Sequence, residues 1–274
     1  MRMYALATES LHVLFSQSPF ESARRALRKA AYTLRTGYWH SGERACPDFP
    51  EENFVNHLKA YRFASQFCSN KKILDIGCGT GYGTSVLAQS AVSAVGIDIS
   101  RQAVRYARKR YLGTNVQFLQ MNAESLAFPD GSFDFIISSE NFEHLHDQRA
   151  NLREISRVLK DGGLLLLATP NHEMFLEIDT PYHTHELIYE EFQQVVQEFF
   201  SECLISENLL DPPTEEGRRM KKGRQERDAF GVNLSRDPVL WGDPVDTTWL
   251  SNTHSFFCFA RSPRRPNPHG GQEA

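Results

Sequence analysis

No apolar run in this 274-residue sequence is long enough to cross a bilayer. The opening residues, MRMYALATESLHVLF, are interrupted by Glu9 and His12 and lack the core and cleavage site of a signal peptide. The five cysteines, Cys46, Cys68, Cys78, Cys203 and Cys258, are odd in number and scattered, without the paired spacing of a metal or redox motif. Free thiols in a cytoplasmic protein are the expectation. Positive charge is not in excess either: the formal net charge is −4, so no global field draws nucleic acid or an anionic membrane. There is no internal repeat. The 41% apolar content is ordinary for a soluble protein with a sizeable core, and the length suits one large or two small domains.

What is present falls into two parts. Residues 1–70 read as a helical extension. In ESARRALRKAAYTLR, Ala23, Leu27, Ala30, Ala31 and Leu34 share one face, while Arg24, Arg25, Arg28, Lys29 and Arg35 make the helix basic. Such a helix can lie on a membrane, or be a solvated surface helix packed on its own domain, and the second is the expectation. After a turn-rich segment comes ENFVNHLKAYRFASQF, with Phe54, Leu58, Tyr61 and Phe67 as its inward side. From Lys72 strands and helices alternate. KILDI, VSAVGIDI, NVQFLQ, FDFIISS and LLLLAT read as strands. GTSVLAQSA, SRQAVRYARKRY, DQRANLREISRVLK and HELIYEEFQQVVQEFF read as helices. Ser100 and Asp147 are the expected N-caps, DGG the end of the third helix, and Ile188, Phe192, Val195, Val196 and Phe199 the inward face of the fourth. This alternation predicts a parallel sheet covered on both faces. The core is expected over 71–210, an insertion or mobile loop over 211–252, a final strand over 253–260 and a disordered tail over 261–274.

The chemistry starts at ILDIGCGTGYGT, residues Ile73–Thr84. Its glycines are Gly77, Gly79, Gly81 and Gly83. No register yields G-x-G-x-x-G, because Tyr82, Thr84 or Val86 falls in the last glycine's place. No Gly-Lys-Ser/Thr follows, which excludes a P-loop. Asp75 stands two residues before the first glycine, where a carboxylate would repel a diphosphate. An acid there suits a cationic ligand without phosphate, such as S-adenosylmethionine with its sulfonium and ammonium.

LDIGCGTGYG resembles the first motif of the class I S-adenosylmethionine-dependent methyltransferases, and the resemblance continues in order over roughly residues 54–210. VGIDIS is similar to the second motif, MNAESLAFPDGSFDFIISSENFEHL to the third and fourth, and RVLKDGGLLLLATPN to the fifth strand and its lead-in. The implied fold is α/β: a doubly wound, Rossmann-like sheet of seven strands with a C-terminal antiparallel strand, plus the N-terminal helical extension. The implied cofactor is S-adenosylmethionine, with Asp75, Gly77, Cys78, Gly79, Gly81, Asp98, Ile99, Asn122, Ala123 and Ser139 around it. Asp98 would hold both ribose hydroxyls, since two acceptor oxygens match two vicinal donors. The family usually has Asp where this chain has Asn122, whose amide oxygen can also accept from an adenine amino group. The backbone N–H of Ala123 would meet the ring.

Ligands in open parallel sheets sit at the carboxyl ends of the strands. After the fourth strand, ENFEHLHD supplies Glu140, Glu143, His144 and His146; after the fifth come His172, Tyr182, His183 and His185. His144 is the first candidate general base, with His183 and His185 as further catalytic candidates. A Glu143–His144 pair can also merely shape the pocket wall. The closing His-x-x-Glu resembles that of sugar- and quinone-methylating relatives. HTHE could ligate a metal, but histidines two apart are poor helical spacing, so no metal is expected. The expected reaction is O-methylation of a small hydroxylated acceptor, a sugar, glycan or natural product, under a lid bearing Tyr38 and Trp39. RNA or protein methylation, and a non-catalytic scaffold, are the alternatives. RRMKKGRQER has no interleaved aromatics, so no nucleic acid partner is expected, and no stable membrane anchor.

Overall fold

The computed structural model describes residues 44–47, 52–111, 113–172, 183–207 and 255–263, with helical positions 27, 30, 31, 33 and 34. The expected lid aromatics Tyr38 and Trp39, Tyr182, the 211–252 segment and the tail from 264 lie outside these residues. The chain divides after Arg44 into two units. In the first, Leu27 and Leu34 are 71% and 89% exposed, and Ala30 and Ala31 are exposed too. Ala23, the fifth residue of the face expected inward, lies outside the described residues.

The second unit is a seven-stranded sheet in the order β3-β2-β1-β4-β5-β7-β6. Its strands are β1 (Lys72–Ile76), β2 (Ser93–Asp98), β3 (Val116–Gln120), β4 (Phe133–Ser139), β5 (Leu159–Pro170), β6 (Phe200–Glu207) and β7 (Ser255–Pro263). β1 to β5 pair in parallel, and β7 runs antiparallel to both β5 and β6. Among the described residues five α-helices cover it: α1 (Glu52–Ala64), α2 (Tyr82–Ala88), α3 (Arg101–Arg110), α4 (Gln148–Val158) and α5 (Tyr189–Gln197). Successive strand residues point to opposite faces. Leu74, Ile76, Ile136 and Leu165 thus join one core with Ile155, Phe192 and Val196. Ile73, Phe135, Ile137 and Leu164 join the other with Tyr61, Phe63 and Leu87. Burial on both faces is why these strands read as almost unbroken apolar runs. Because α1 sends Tyr61, Phe63 and Ala64 into that second core, it is part of the sheet's own packing. The extension drawn to residue 70 is too long by this helix.

Both expected N-caps are formed. Ser100 Oγ accepts from Ala103 N at 3.2 Å and Asp147 Oδ1 from Ala150 N at 2.8 Å. Three boundaries differ. DGG does not end α4: Leu159 is fully buried and starts β5, and the strand passes through a register shift between Phe133 and Phe135 of its neighbour. The expected helix from His185 to Phe200 is shorter, with Ile188 as its N-cap, because FSECLISE has left it to pair with β7. β7 extends to Pro263, so the first residues of the expected tail are strand.

Candidate active site

The glycine loop leaves β1 and enters α2. Gly81 caps α2 at φ +84°, and a Cβ there would stand 2.6 Å from that of Ala107. Gly77, at φ +74°, passes so close to the Asn141 side chain that a Cβ would overlap it. Only glycine tolerates both demands. Asp75 lies behind this loop, fully buried. It accepts from Tyr61 Oη at 3.0 Å and from Thr84 Oγ1 at 2.5 Å. Burial raises its carboxyl to about 7, against the pull of the hydrogen bonds from Thr84 and Tyr61. The expectation that Asp75 meets a cationic ligand is thereby corrected. With no exposed surface it supports the loop from beneath, joining β1 to α1 and α2. Cys78 is turned inward as well, packed with Val104, Ala107 and Phe118, and burial pushes its thiol well up. Its N–H binds Ile97 O at 2.8 Å.

At the end of β2, Asp98 Oδ2 accepts from Gly79 N at 2.9 Å and Oδ1 from Ser100 N at 2.7 Å. Each carboxylate oxygen has a second lone pair, so the group can brace the loop and still accept from hydroxyl donors. Ile99 beside it is 64% exposed, a flat apolar surface at the rim of the loop. Past β3, Asn122 Oδ1 accepts from Glu124 N at 2.9 Å and closes a local turn. The Ala123 carbonyl is held by Asn151 Nδ2 at 2.8 Å. Ser139 is buried at the end of β4, in register with Ala168. The remaining lone pairs of Asp98, the exposed Ile99 and the turn at Asn122 are the groups that could hold a nucleoside here.

The second half of the site follows β4. Glu140 adopts φ +51°, a conformation costing roughly 1–2 kcal/mol in a residue with a Cβ. Its N–H stays bonded to Ala168 O at 2.9 Å, and its Oε1 accepts from Ser255 Oγ at 2.9 Å. The chain then turns through Phe142–His144. Glu143 is buried, takes a bond from Thr169 Oγ1 at 3.1 Å, and presents Oε1 3.6 Å from His144 Nε2. Burial, and then the Glu140 charge, holds its carboxyl well above the usual carboxylate range. His144 and His183 meet edge to face, ring centroids 5.0 Å apart. Glu186 bridges His183 Nδ1 and His172 Nδ1, the second at 3.1 Å.

His144 and His183 are thus brought together. His185 is not among them: its side chain is exposed, and its backbone N–H and carbonyl bind Glu143 O and Gln148 Nε2. Sequence reasoning missed Tyr61 and Thr84 as partners of Asp75, Asn141 against Gly77, and Thr169 behind Glu143. Glu186 alone left a signal, the His-x-x-Glu spacing.

Residues 74–167 match the family described as a methyltransferase domain. A Mycobacterium tuberculosis protein named a probable S-adenosylmethionine-dependent methyltransferase is 36% identical over 162 residues, 57% of this chain and 58% of that protein. An O-methyltransferase of Aspergillus nomiae is 32% identical over 154 residues, 54% of this chain and 65% of the relative. The chain therefore covers less than two thirds of either. An S-adenosylmethionine-dependent methyltransferase from Mesorhizobium loti shares the fold, with a TM-score of 0.52 at 18% identity, over 76% of this chain and 98% of that one.

Proposed function

We propose that this chain, whose residues 74–167 match a methyltransferase-domain family, is a class I S-adenosylmethionine-dependent methyltransferase that moves a methyl group from that cofactor to an oxygen of a small hydroxylated acceptor. A sugar, glycan or natural product is the acceptor class. One observation carries the reading. The strand order reverses between β1 and β4, and the two half-sites stand at the carboxyl ends flanking that reversal. The Gly79–Asp98 brace lies on the β2 side. Glu143, His144 and His183 lie on the β4 and β5 side. Ligands of such sheets bind at that switch point. The reaction forms an oxygen–carbon bond as the sulfur–carbon bond breaks, and the acceptor's proton must leave. A polar cluster with two imidazoles suits that departure, and a long lipid tail poorly. Alignment of nucleophile and methyl carbon supplies much of the rate. Five free cysteines support a reducing, cytoplasmic setting. Among the described residues no helix is long and apolar enough to cross a membrane.

The test pairs calorimetry with turnover. S-adenosylmethionine is expected to bind with a Kd near 1 μM, about −8 kcal/mol, and NADH at equal concentration not to compete. Asp98→Ala is expected to weaken binding about a hundredfold, the equivalent of roughly 2–3 kcal/mol for charged hydrogen bonds. Isotope-labelled cofactor incubated with enzyme and a whole-cell extract should yield labelled small-molecule methyl ethers and S-adenosylhomocysteine. Label confined to RNA or protein would overturn the acceptor class, and tight binding without turnover would leave a scaffold.

A further inference from the structure

We infer that Glu143, His144 and His183 form a site for one divalent transition-metal ion of the zinc or cobalt kind, with an open position for the acceptor oxygen. This rests on reading the cluster as the acceptor end of the site, and it replaces the expectation of no metal. One ligand atom from each residue lies within 4.8 Å of the others, and Glu143 Oε1 is 3.6 Å from His144 Nε2. Tetrahedral ligands at zinc distances stand about 3.4 Å apart, so a small contraction closes the triangle. The poor i, i+2 spacing that argued against a metal concerned His183 and His185. His185 is not used; His144 comes from a different strand end.

The surroundings are those of a held ligand set. Thr169 Oγ1 donates to Glu143 Oε2, leaving Oε1 on the His144 side. His183 Nδ1 stands against Glu186, and the tautomer that donates from Nδ1 to this carboxylate leaves Nε2 with its lone pair. A carboxylate behind an imidazole is the usual outer partner of a metal-binding histidine. His172 Nδ1 holds the other oxygen of Glu186 at 3.1 Å. The two ligand-bearing segments are stitched by Thr184 N and His185 N on Glu143 O, at 2.8 and 3.2 Å, and by Thr184 Oγ1 on His144 O at 3.3 Å. Glu140, Glu143 and Glu186 gather here, and among the described residues the ion-pair partners of Glu143 and Glu186 are histidines, with no lysine or arginine. A dication offsets that charge. Two imidazoles and one carboxylate favour zinc, cobalt, iron or manganese over calcium or magnesium. Three protein ligands leave a coordination position for a hydroxyl, whose acidity the ion raises. The hydroxyl proton passes to solvent, the bound oxygen attacks the methyl carbon, and the sulfur–carbon electron pair stays on sulfur as a neutral thioether.

The experiment uses the full chain, stripped with a chelator and titrated with Co2+. One equivalent should produce the visible d–d bands of a four- or five-coordinate ion, removed by competing Zn2+. His144→Ala and His183→Ala should abolish the bands; Glu186→Gln should weaken binding about 10–100-fold. His146→Ala, an exposed histidine in the same loop, should leave it unchanged. If a histidine-to-alanine chain melts early, His183→Gln, which keeps bulk at the position, takes its place. No band in the wild type, or bands that persist in both histidine variants, would overturn the site. Calorimetry with S-adenosylmethionine on the same samples separates the two readings. Cofactor binding without a cobalt band removes the metal alone, and a band without cofactor binding removes methyl transfer alone.

Discussion

Asp75 has no exposed surface, yet two hydroxyls are bound to it and burial lifts its carboxyl to about 7. An unfolded chain releases that proton near pH 4. Between pH 4 and 7 the native state binds more protons than the unfolded state, so stability falls as pH rises, and the loss is complete above pH 7. The interval corresponds to about 4 kcal/mol as an upper figure. Asp75→Asn keeps a polar amide for Tyr61 and Thr84 but cannot ionise. Its stability relative to wild type, measured by urea titration, is expected to improve by a few kcal/mol between pH 4.5 and 8. A difference constant across that range would show that Asp75 titrates normally. The glycine loop could be singled out because its glycines stand close together in the chain, and Asp98 because it ends an apolar strand run. Tyr61 could not, since it reads simply as one more apolar position of α1 and nothing local links it to Asp75, 14 residues on. The Asp75 argument from charge failed for a related reason: position relative to the loop was readable, depth was not.

The turn between β3 and β4 carries Asn122 and Ala123, and Arg157 of α4 holds it. All of its donors are used. Nε and Nη2 bind the two oxygens of Glu154 at 2.9 and 2.8 Å, Nη2 also reaches Leu126 O at 2.8 Å, and Nη1 reaches Phe128 O at 2.7 Å and Asp130 at 2.8 Å. Asp130 is 66% exposed, so that pair contributes little; the carbonyls and the Glu154 fork contribute more. Lysine cannot reproduce the fork. Arg157→Lys is expected to cost about 2 kcal/mol and lower Tm by roughly 4–8 °C, whereas Asp130→Ala should stay within about 0.5 kcal/mol. Calorimetric melts of the two variants that coincide would refute this division. At this scale β1 to β5 were readable as apolar runs between turn signals. β6 was hidden, because FQQVVQEF runs into FSECLISE with no glycine or proline between them, and only pairing with β7 separates helix from strand.

β6 and β7 are neighbours in the sheet, although 47 residues separate Glu207 from Ser255. β6 runs with the parallel strands, so its exit and the entry of β7 share the carboxyl edge, and Ser255 there binds Glu140. Residues 208–254 lie between the two strand ends in sequence and outside the described residues. Loop-closure statistics put the cost of 47 residues over four at about 2 kcal/mol. Replacing 208–254 with a short turn is therefore expected to preserve the sheet and cofactor binding, read by thermal melt and calorimetry, while abolishing turnover of the native acceptor. Collapse of the fold, or full turnover, would sink the idea. Because β6 and β7 are paired residue by residue, the two strands themselves set this edge of the sheet, and a lineage can alter the length or sequence between Glu207 and Ser255 while inheriting the sheet intact.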